Sequence, residues 1–159
     1  GVKMKIILEG PDCAGKTTLA NLLKQKLTDY LYIHNGIYSK AYKPHMDCLK
    51  LDNVIIDRHW PSELVYGTTF RAGPSYNVYT MEQECKKHAT TKYILCLPPK
   101  DLVLKRFLER KEHEDFEDVS KVYDAYHLFK NMYPYWTLYN YAEHNTEEFV
   151  KREIYGQRD

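Results

Sequence analysis

The sequence predicts an α/β fold, a central parallel sheet of about five strands flanked by helices, and three observations predict it. Short apolar runs such as Lys5 Ile6 Ile7 Leu8 and Val54 Ile55 Ile56 read as strands, and they alternate with helical patterns. These runs are near-continuously apolar, which is the signature of parallel strands covered on both faces rather than of half-solvated antiparallel ones. Between the first strand and the first helix lies a glycine-rich segment, Gly10 to Thr17, reading GPDCAGKT.

The elements follow in order. After the strand at 5–8 and the glycine segment, Thr17 to Leu27 is a helix pattern with Leu19, Leu22, Leu23 and Leu27 on one side. Tyr32 Ile33 His34 is a short strand, and the polar stretch from Asn35 to Asp52 carries one weak helix around Lys43 to Leu51. Val54 to Ile56 is a buried strand ending in Asp57 Arg58, and Pro61 suits the first turn of a helix reaching about Phe70. A loop at 71–74 and a helix from about Val78 to His88 lead to the strand Tyr93 to Leu97, which Pro98 and Pro99 terminate. Helices are expected at 100–111 and 117–132, with a break at Tyr133 Pro134. Thr137 Leu138 Tyr139 reads as a last edge strand, and Thr146 to Tyr155 as a closing helix capped by Thr146.

At 159 residues the chain has room for one domain, expected over 1–159, with a full core and little space for an appended module. Lys and Arg number 23 against 22 Asp and Glu, so no global basic field argues for long nucleic acid, although a local groove stays open. Cys13, Cys48, Cys85 and Cys96 show no C-x-x-C spacing, and nothing resembles a signal peptide or a membrane span. The expectation is a reduced cytoplasmic protein without structural zinc or membrane contact, with Met4 as its native start. The 15 tyrosines read as packing rather than as a base-stacking signature.

GPDCAGKT fits the phosphate-binding loop pattern of Gly, four residues, Gly, Lys and Ser or Thr, and its strand-loop-helix context is the one this motif requires. Its glycines let consecutive N–H groups and the positive end of the helix face a phosphate. The expected ATP-binding set is Asp12, Cys13, Ala14, Gly15, Lys16, Thr17 and Thr18, with Lys16 projecting from a solvent-facing loop toward the β and γ oxygens and Thr17 placed for Mg²⁺. Cys13 reads as a small residue in a crowded turn. Phosphoryl transfer needs alignment and cations more than covalent help. Arg58 is a second cation, and Arg106 and Arg110, four apart, share one helix face. Asp57, after three apolar strand residues, is expected near the metal through water. Asp12 adds negative charge within the loop and is better explained as a hydrogen-bond acceptor for an acceptor hydroxyl. Strand order places the glycine loop and Asp57 Arg58 at carboxyl ends of parallel strands, facing one cleft.

LEGPDCAGKTTLA resembles the first motif of the thymidylate kinase and deoxynucleoside kinase group. DRHWPSELVYGTTFRAG is similar to the thymidylate kinase segment that begins Asp, Arg, His or Tyr, and VLKRFLERKEHEDFED to the group's mobile lid. The three blocks stand in the family order and cover about a third of the chain. The resemblance implies a three-layer P-loop kinase fold with a small helical lid at about 106–118. It implies an ATP-dependent kinase using Mg²⁺, with a deoxynucleoside monophosphate, most like dTMP, as acceptor. Asp12 would meet the sugar 3′-hydroxyl, Arg58 would bridge donor and acceptor phosphates, Thr17 and Asp57 would organise Mg²⁺, Arg106 would lie on the adenine and Arg110 would close on the transferring group. Tyr66, Phe70 and Arg71 would line the base pocket. Cys13 stands where some thymidylate kinases carry an arginine, so the lid would supply that charge. Members are commonly homodimers, and a homodimer is an implied partner state.

Two departures touch the acceptor side. No Arg occurs before Arg58, where thymidylate kinases hold the monophosphate with one after the second strand; His34, Lys40 or Lys43 is the available substitute. Only 39 residues, 18–56, separate Thr17 from Asp57, a short span for the family. Three readings stay open beside the first: a deoxynucleoside 5′-kinase, a kinase acting on a nucleic acid end or a modified base in DNA, and a nucleotide-binding regulatory module that transfers nothing.

Overall fold

The computed structural model describes residues 3–37, 40–88, 90–110 and 115–156. Five strands form one sheet: β1 (Lys5–Glu9), β2 (Leu31–His34), β3 (Val54–Asp57), β4 (Thr91–Cys96) and β5 (Thr137–Tyr139). Their order is β2-β3-β1-β4-β5 and every pair is parallel. Register sets Leu8 and His34 both opposite Asp57, so the carboxyl ends of the three strands finish almost level. Strands β1 and β3 are buried throughout and apolar between their polar ends, with Ile6, Ile7, Leu8, Ile55 and Ile56 at zero exposure. Each such side chain contributes about 2 kcal/mol from burial.

Seven helices flank the sheet among the described residues: α1 (Lys16–Lys26), α2 (Tyr42–Cys48), α3 (Trp60–Phe70), α4 (Val78–Lys86), α5 (Lys100–Arg110), α6 (Phe116–Met132) and α7 (Thr146–Glu153). Helix α1 packs on β1, β3 and α7, while α3 packs on α4 and α6. The α7 boundary differs from expectation. Asn145, not Thr146, is the cap, because its side-chain oxygen accepts from the Glu148 N–H. Trp60 fixes the α3–α6 pairing: its ring lies 5.5 Å from Phe129 and 5.0 Å from Tyr133. Two residues further along α3, the Ser62 hydroxyl meets Tyr126. As the contact climbs α3 it descends α6, so the two helices run antiparallel. Among the described residues, no helix is long and apolar enough to cross a membrane.

Candidate active site

The loop after β1 is shaped by two glycines. Gly10 has φ 144°, and a Cβ there would lie 2.4 Å from the Cys96 carbonyl oxygen of β4, so no larger residue can end β1 this close to its neighbour. Gly15 has φ 83° and caps α1, with the Tyr141 ring against the place a Cβ would take. Between them Cys13 adopts φ 66° and is buried, as a small residue in a tight turn would be. Asp12, Cys13, Ala14, Gly15, Lys16, Thr17 and Thr18, with Pro11, surround a cavity of about 60 Å³ that Arg106 and Arg110 close from α5. The Arg106 guanidinium lies over the Tyr141 ring, 3.9 Å from its centroid. A helix N-terminus, a lysine and two guanidiniums around one small space are the chemistry of an anion cradle.

Lys16 departs from expectation: it is buried rather than solvent-facing. Its Nζ sits 2.5 Å from Asp57 Oδ1, and the Tyr32 hydroxyl donates to Asp57 Oδ2 at 2.5 Å. Burial would raise the Asp57 pKa, but the Lys16 charge and the bonds from Lys16 and Tyr32 outweigh it and hold the carboxyl below its ordinary value. Asp57 is therefore ionised with both oxygens engaged. Thr17 is exposed and lines the cradle. Thr17 and Asp57 offer hard oxygen donors of the kind Mg²⁺ takes together with water and phosphate oxygens. No group of three His, Cys, Asp or Glu that could hold a metal occurs among the described residues.

Arg58 is the hub beside the cradle. Its Nη1 donates to Ser62 Oγ at 3.1 Å and to the Tyr126 hydroxyl at 3.0 Å, and its Nη2 to Asp12 Oδ1 at 3.2 Å. The guanidinium also lies 5.3 Å from the Tyr66 centroid. Arg58 has φ 73°, a left-handed conformation costing an arginine about 1 kcal/mol or more. Its backbone is pinned on both sides, since its N–H donates to the Leu8 carbonyl and its carbonyl accepts from Asn35 Nδ2. Behind it, Glu9 is fully buried and accepts from His59 N, Ser62 N, Ser62 Oγ and the Tyr126 hydroxyl. The carboxylate thus sits on the N-terminus of α3, where the helix dipole favours it, 3.9 Å from Arg58. Neither Glu9 nor Tyr126 is singled out by the sequence reading. Glu9 carries the same signal that marks Asp57, a carboxylate closing an apolar strand; Tyr126 has no local signal among so many tyrosines.

A second cavity, about 580 Å³, opens on the other side of Asp12. Pro11 and Asp12 line both cavities. Tyr66, Phe70 and Arg71 form one wall; Ile37 contributes from beyond β2, and Asp115, Asp118, Val119 and Val122 supply the wall made by the start of α6. Arg71 is clamped: Nη1 donates to the Ile37 carbonyl at 3.0 Å, Nη2 sits 3.4 Å from Glu63 Oε2, and the buried Nε has no partner among the described residues. Glu63 is held in turn by the Ser75 N–H. His34 lines neither cavity. It ends β2 exposed, because the next residue, Asn35, turns inward to bond Arg58. Lys43 is spent on Asp47 at the surface, and Lys40 is exposed and lines neither cavity. The middle of the expected lid, 111–114, lies outside the described residues.

Beneath the α2–α3 junction His45 and His59 stack with centroids 4.6 Å apart. His59 Nε2 contacts the His45 carbonyl oxygen, and His45 Nδ1 the Tyr76 hydroxyl. Burial pushes the His45 pKa down to about 4 and, with the neighbouring His45, that of His59 to about 3.

No family model matches the chain. Over 133 aligned residues it is 31% identical to YorR, an uncharacterised protein derived from the SPbeta prophage in Bacillus subtilis strain 168, covering 76% of this chain and 78% of YorR. The chain belongs to the YorR family. A crystal structure of Bacillus subtilis YorR in complex with phosphorylated GDP matches it with a TM-score of 0.78 at 24% identity, over 96% of this chain and 94% of that one. A deoxyadenosine kinase from M. mycoides with dCMP and a flexible dCDP bound gives 0.62 at 16% identity, over 97% and 100%. Thymidylate kinase from Ehrlichia chaffeensis gives 0.55 at 16%, over 98% of each chain. This YorR-family chain therefore has the P-loop kinase fold of the nucleotide and nucleoside kinases.

Proposed function

We propose that this protein transfers the γ-phosphoryl group of ATP, presented with Mg²⁺, to a deoxynucleoside monophosphate. One observation carries the reading: an anion cradle and a nucleoside-sized cavity adjoin, share Asp12, and have Arg58 bonded to that shared residue. In this reading the loop amides and Lys16 hold the donor phosphates, with Lys16 exchanging its Asp57 contact for the β and γ oxygens. Thr17, with Asp57 through water, would hold Mg²⁺, which when bound supplies neutralising charge on those oxygens. Arg106 flanks the donor base and Arg110 the moving group. Arg58 meets the acceptor phosphate, held in place by Glu9, Ser62 and Tyr126, and Asp12 accepts from the sugar hydroxyl.

A monophosphate acceptor needs no general base, because its oxygen is already ionised. This agrees with the end of β2, where His34 and Asn35 stand in the places a carboxylate would need and Asn35 is occupied with the Arg58 carbonyl. The acceptor implied by the resemblance, dTMP, is one member of this class. A second reading, a deoxynucleoside 5′-kinase, is favoured by the lining of the large cavity, where three carboxylates, Asp12, Asp115 and Asp118, face one guanidinium, Arg71. The YorR structure with phosphorylated GDP and the deoxyadenosine kinase with dCMP support a nucleotide acceptor or product in general terms. Mass spectrometry of reactions containing ATP, Mg²⁺ and each common deoxynucleoside, deoxynucleotide and 5′-hydroxyl DNA end separates these readings. A diphosphate product supports the first and a monophosphate product the second; ATP hydrolysis with no phosphorylated acceptor sinks both.

A further inference from the structure

Resting on the reading of the glycine loop as a Mg²⁺-nucleotide site, we propose that Tyr32 of β2 is a positioning residue for that site. Its hydroxyl fixes Asp57 Oδ2, so that Oδ1 keeps facing the cradle when Lys16 leaves it for the donor phosphates.

The contact follows from strand register. Parallel pairing sets Tyr32 opposite Ile55 and His34 opposite Asp57, so Tyr32 and Asp57 share one face of the sheet, two residues apart along the strands. That offset is about 7 Å along the strands, added to about 4.8 Å between them, a gap that a phenol spans and a serine does not. Helix α1 packs on β3 from that side. Lys16 reaches Asp57 from its start, and Lys24, about 12 Å further along the helix, sets its Nζ 4.3 Å from the Tyr32 ring centroid. The ring is therefore held from α1 while its hydroxyl holds Asp57.

The two donors on Asp57 have different duties. Lys16 lines the cradle and is the cation that bound phosphates draw away. Tyr32 lines neither cavity, so its bond to Asp57 persists while they fill. The terminal torsion of a carboxylate is broad and two-fold, so without a second donor the group would be free to turn either oxygen once Lys16 has gone. The Tyr32 hydroxyl removes that freedom. It also satisfies one oxygen of a carboxylate that is only 3% exposed, where an acceptor left without a donor is costly. A group that orients a metal-site carboxylate in this way acts on metal affinity without touching the metal, the phosphates or the acceptor.

The test measures binding and transfer separately, using the full chain. Calorimetry with the imido analogue of ATP, which cannot transfer its γ-phosphoryl group, should show Mg²⁺ tightening its binding to wild type about tenfold or more. Tyr32→Phe removes one oxygen and keeps the ring beside Lys24; it should bring that gain to within about twofold and leave the metal-free affinity unchanged. The metal-free affinity doubles as the check that the variant is folded. In transfer assays the variant should need about tenfold more Mg²⁺ for half-maximal rate, with the acceptor KM unchanged. A Mg²⁺ gain equal in variant and wild type overturns the inference. So does an affinity that falls equally with and without Mg²⁺, which would make Tyr32 part of the packing of the cradle. Wild-type binding indifferent to Mg²⁺ removes the metal site and the inference with it. If no acceptor is phosphorylated, the kinase reading falls while the binding comparison still decides the role of Tyr32; transfer with an unshifted Mg²⁺ requirement does the reverse.

Discussion

The two cavities on either side of Asp12 are built in opposite ways. The cradle is drawn almost wholly from one contiguous stretch, Pro11 to Thr18, with two arginines added from one face of α5. The large cavity collects side chains from Pro11 to Val122, from a loop, two antiparallel helices and the segment after β2. Backbone amides and a helix N-terminus define the first, so its chemistry follows from a glycine pattern. Side chains brought together by α3–α6 packing define the second, so its chemistry exists only once the fold does. A phosphate is alike in every nucleotide, whereas the acceptor is what distinguishes one such protein from another.

Breaking the cradle should have the largest effect. Lys16→Ala is expected to lower kcat about 10³-fold, because it removes charge from the transferring oxygens. Its burial against Asp57 adds a second consequence: removing one partner should cost about 3 kcal/mol of stability, read as a shift in the urea midpoint. Lys16→Ala combined with Asp57→Asn should regain most of that stability and none of the activity. Wild-type kcat in the single variant would remove the donor role assigned to Lys16.

On the acceptor side Glu9 is the counterpart of Lys16. Glu9→Ala leaves two backbone N–H groups and the Ser62 and Tyr126 hydroxyls without their acceptor, and Arg58 without its buried countercharge. A loss of about 3 kcal/mol or more in denaturant unfolding is expected. A variant as stable as wild type would mean that the Arg58 hub is not held from behind.

Acid should act through the histidine pair beside that hub. Both folded pKa values lie below the unfolded value of about 6.5, so the unfolded chain binds more protons as pH falls. The stability contributed by keeping His45 and His59 neutral is complete above about pH 6.5 and is lost as pH falls toward 4 and then 3. By pH 5 the loss is about 2 kcal/mol per histidine. Melting curves between pH 7.5 and 5 on wild type and His45→Gln should show the variant losing less over that range; parallel curves would contradict the assignment. The smallest effect is expected from Phe70→Ala, which should raise the acceptor KM about tenfold while leaving the ATP KM unchanged. Equal shifts in both would break the division into two cavities.

The same contrast explains which features are legible in the sequence. Five strands, their parallel arrangement and the helix positions follow from apolar periodicity, since burial on both faces leaves an unbroken signal in β1 and β3. Glu9 escapes the strand pattern, which stops at the last apolar residue, one short of the end of β1. The inward turn of Asn35 in place of His34 depends on Arg58 adopting a left-handed backbone, and a single sequence carries no mark of that. Tyr126 sits at ordinary core spacing on α6. Asp118 reads as part of a charged interval until the antiparallel pairing with α3 sets it opposite Phe70. Contacts that depend on how helices dock are not written in any local pattern.

The central claim is that the two cavities work on one reaction, and the balance between ADP and phosphorylated acceptor tests it most directly. With γ-labelled ATP, Mg²⁺ and an accepted deoxynucleoside or deoxynucleotide, each ADP formed should be matched by one labelled acceptor, and turnover should fall to background when the acceptor is omitted. ADP production that is the same with and without every acceptor, with the label released as free phosphate, would contradict it.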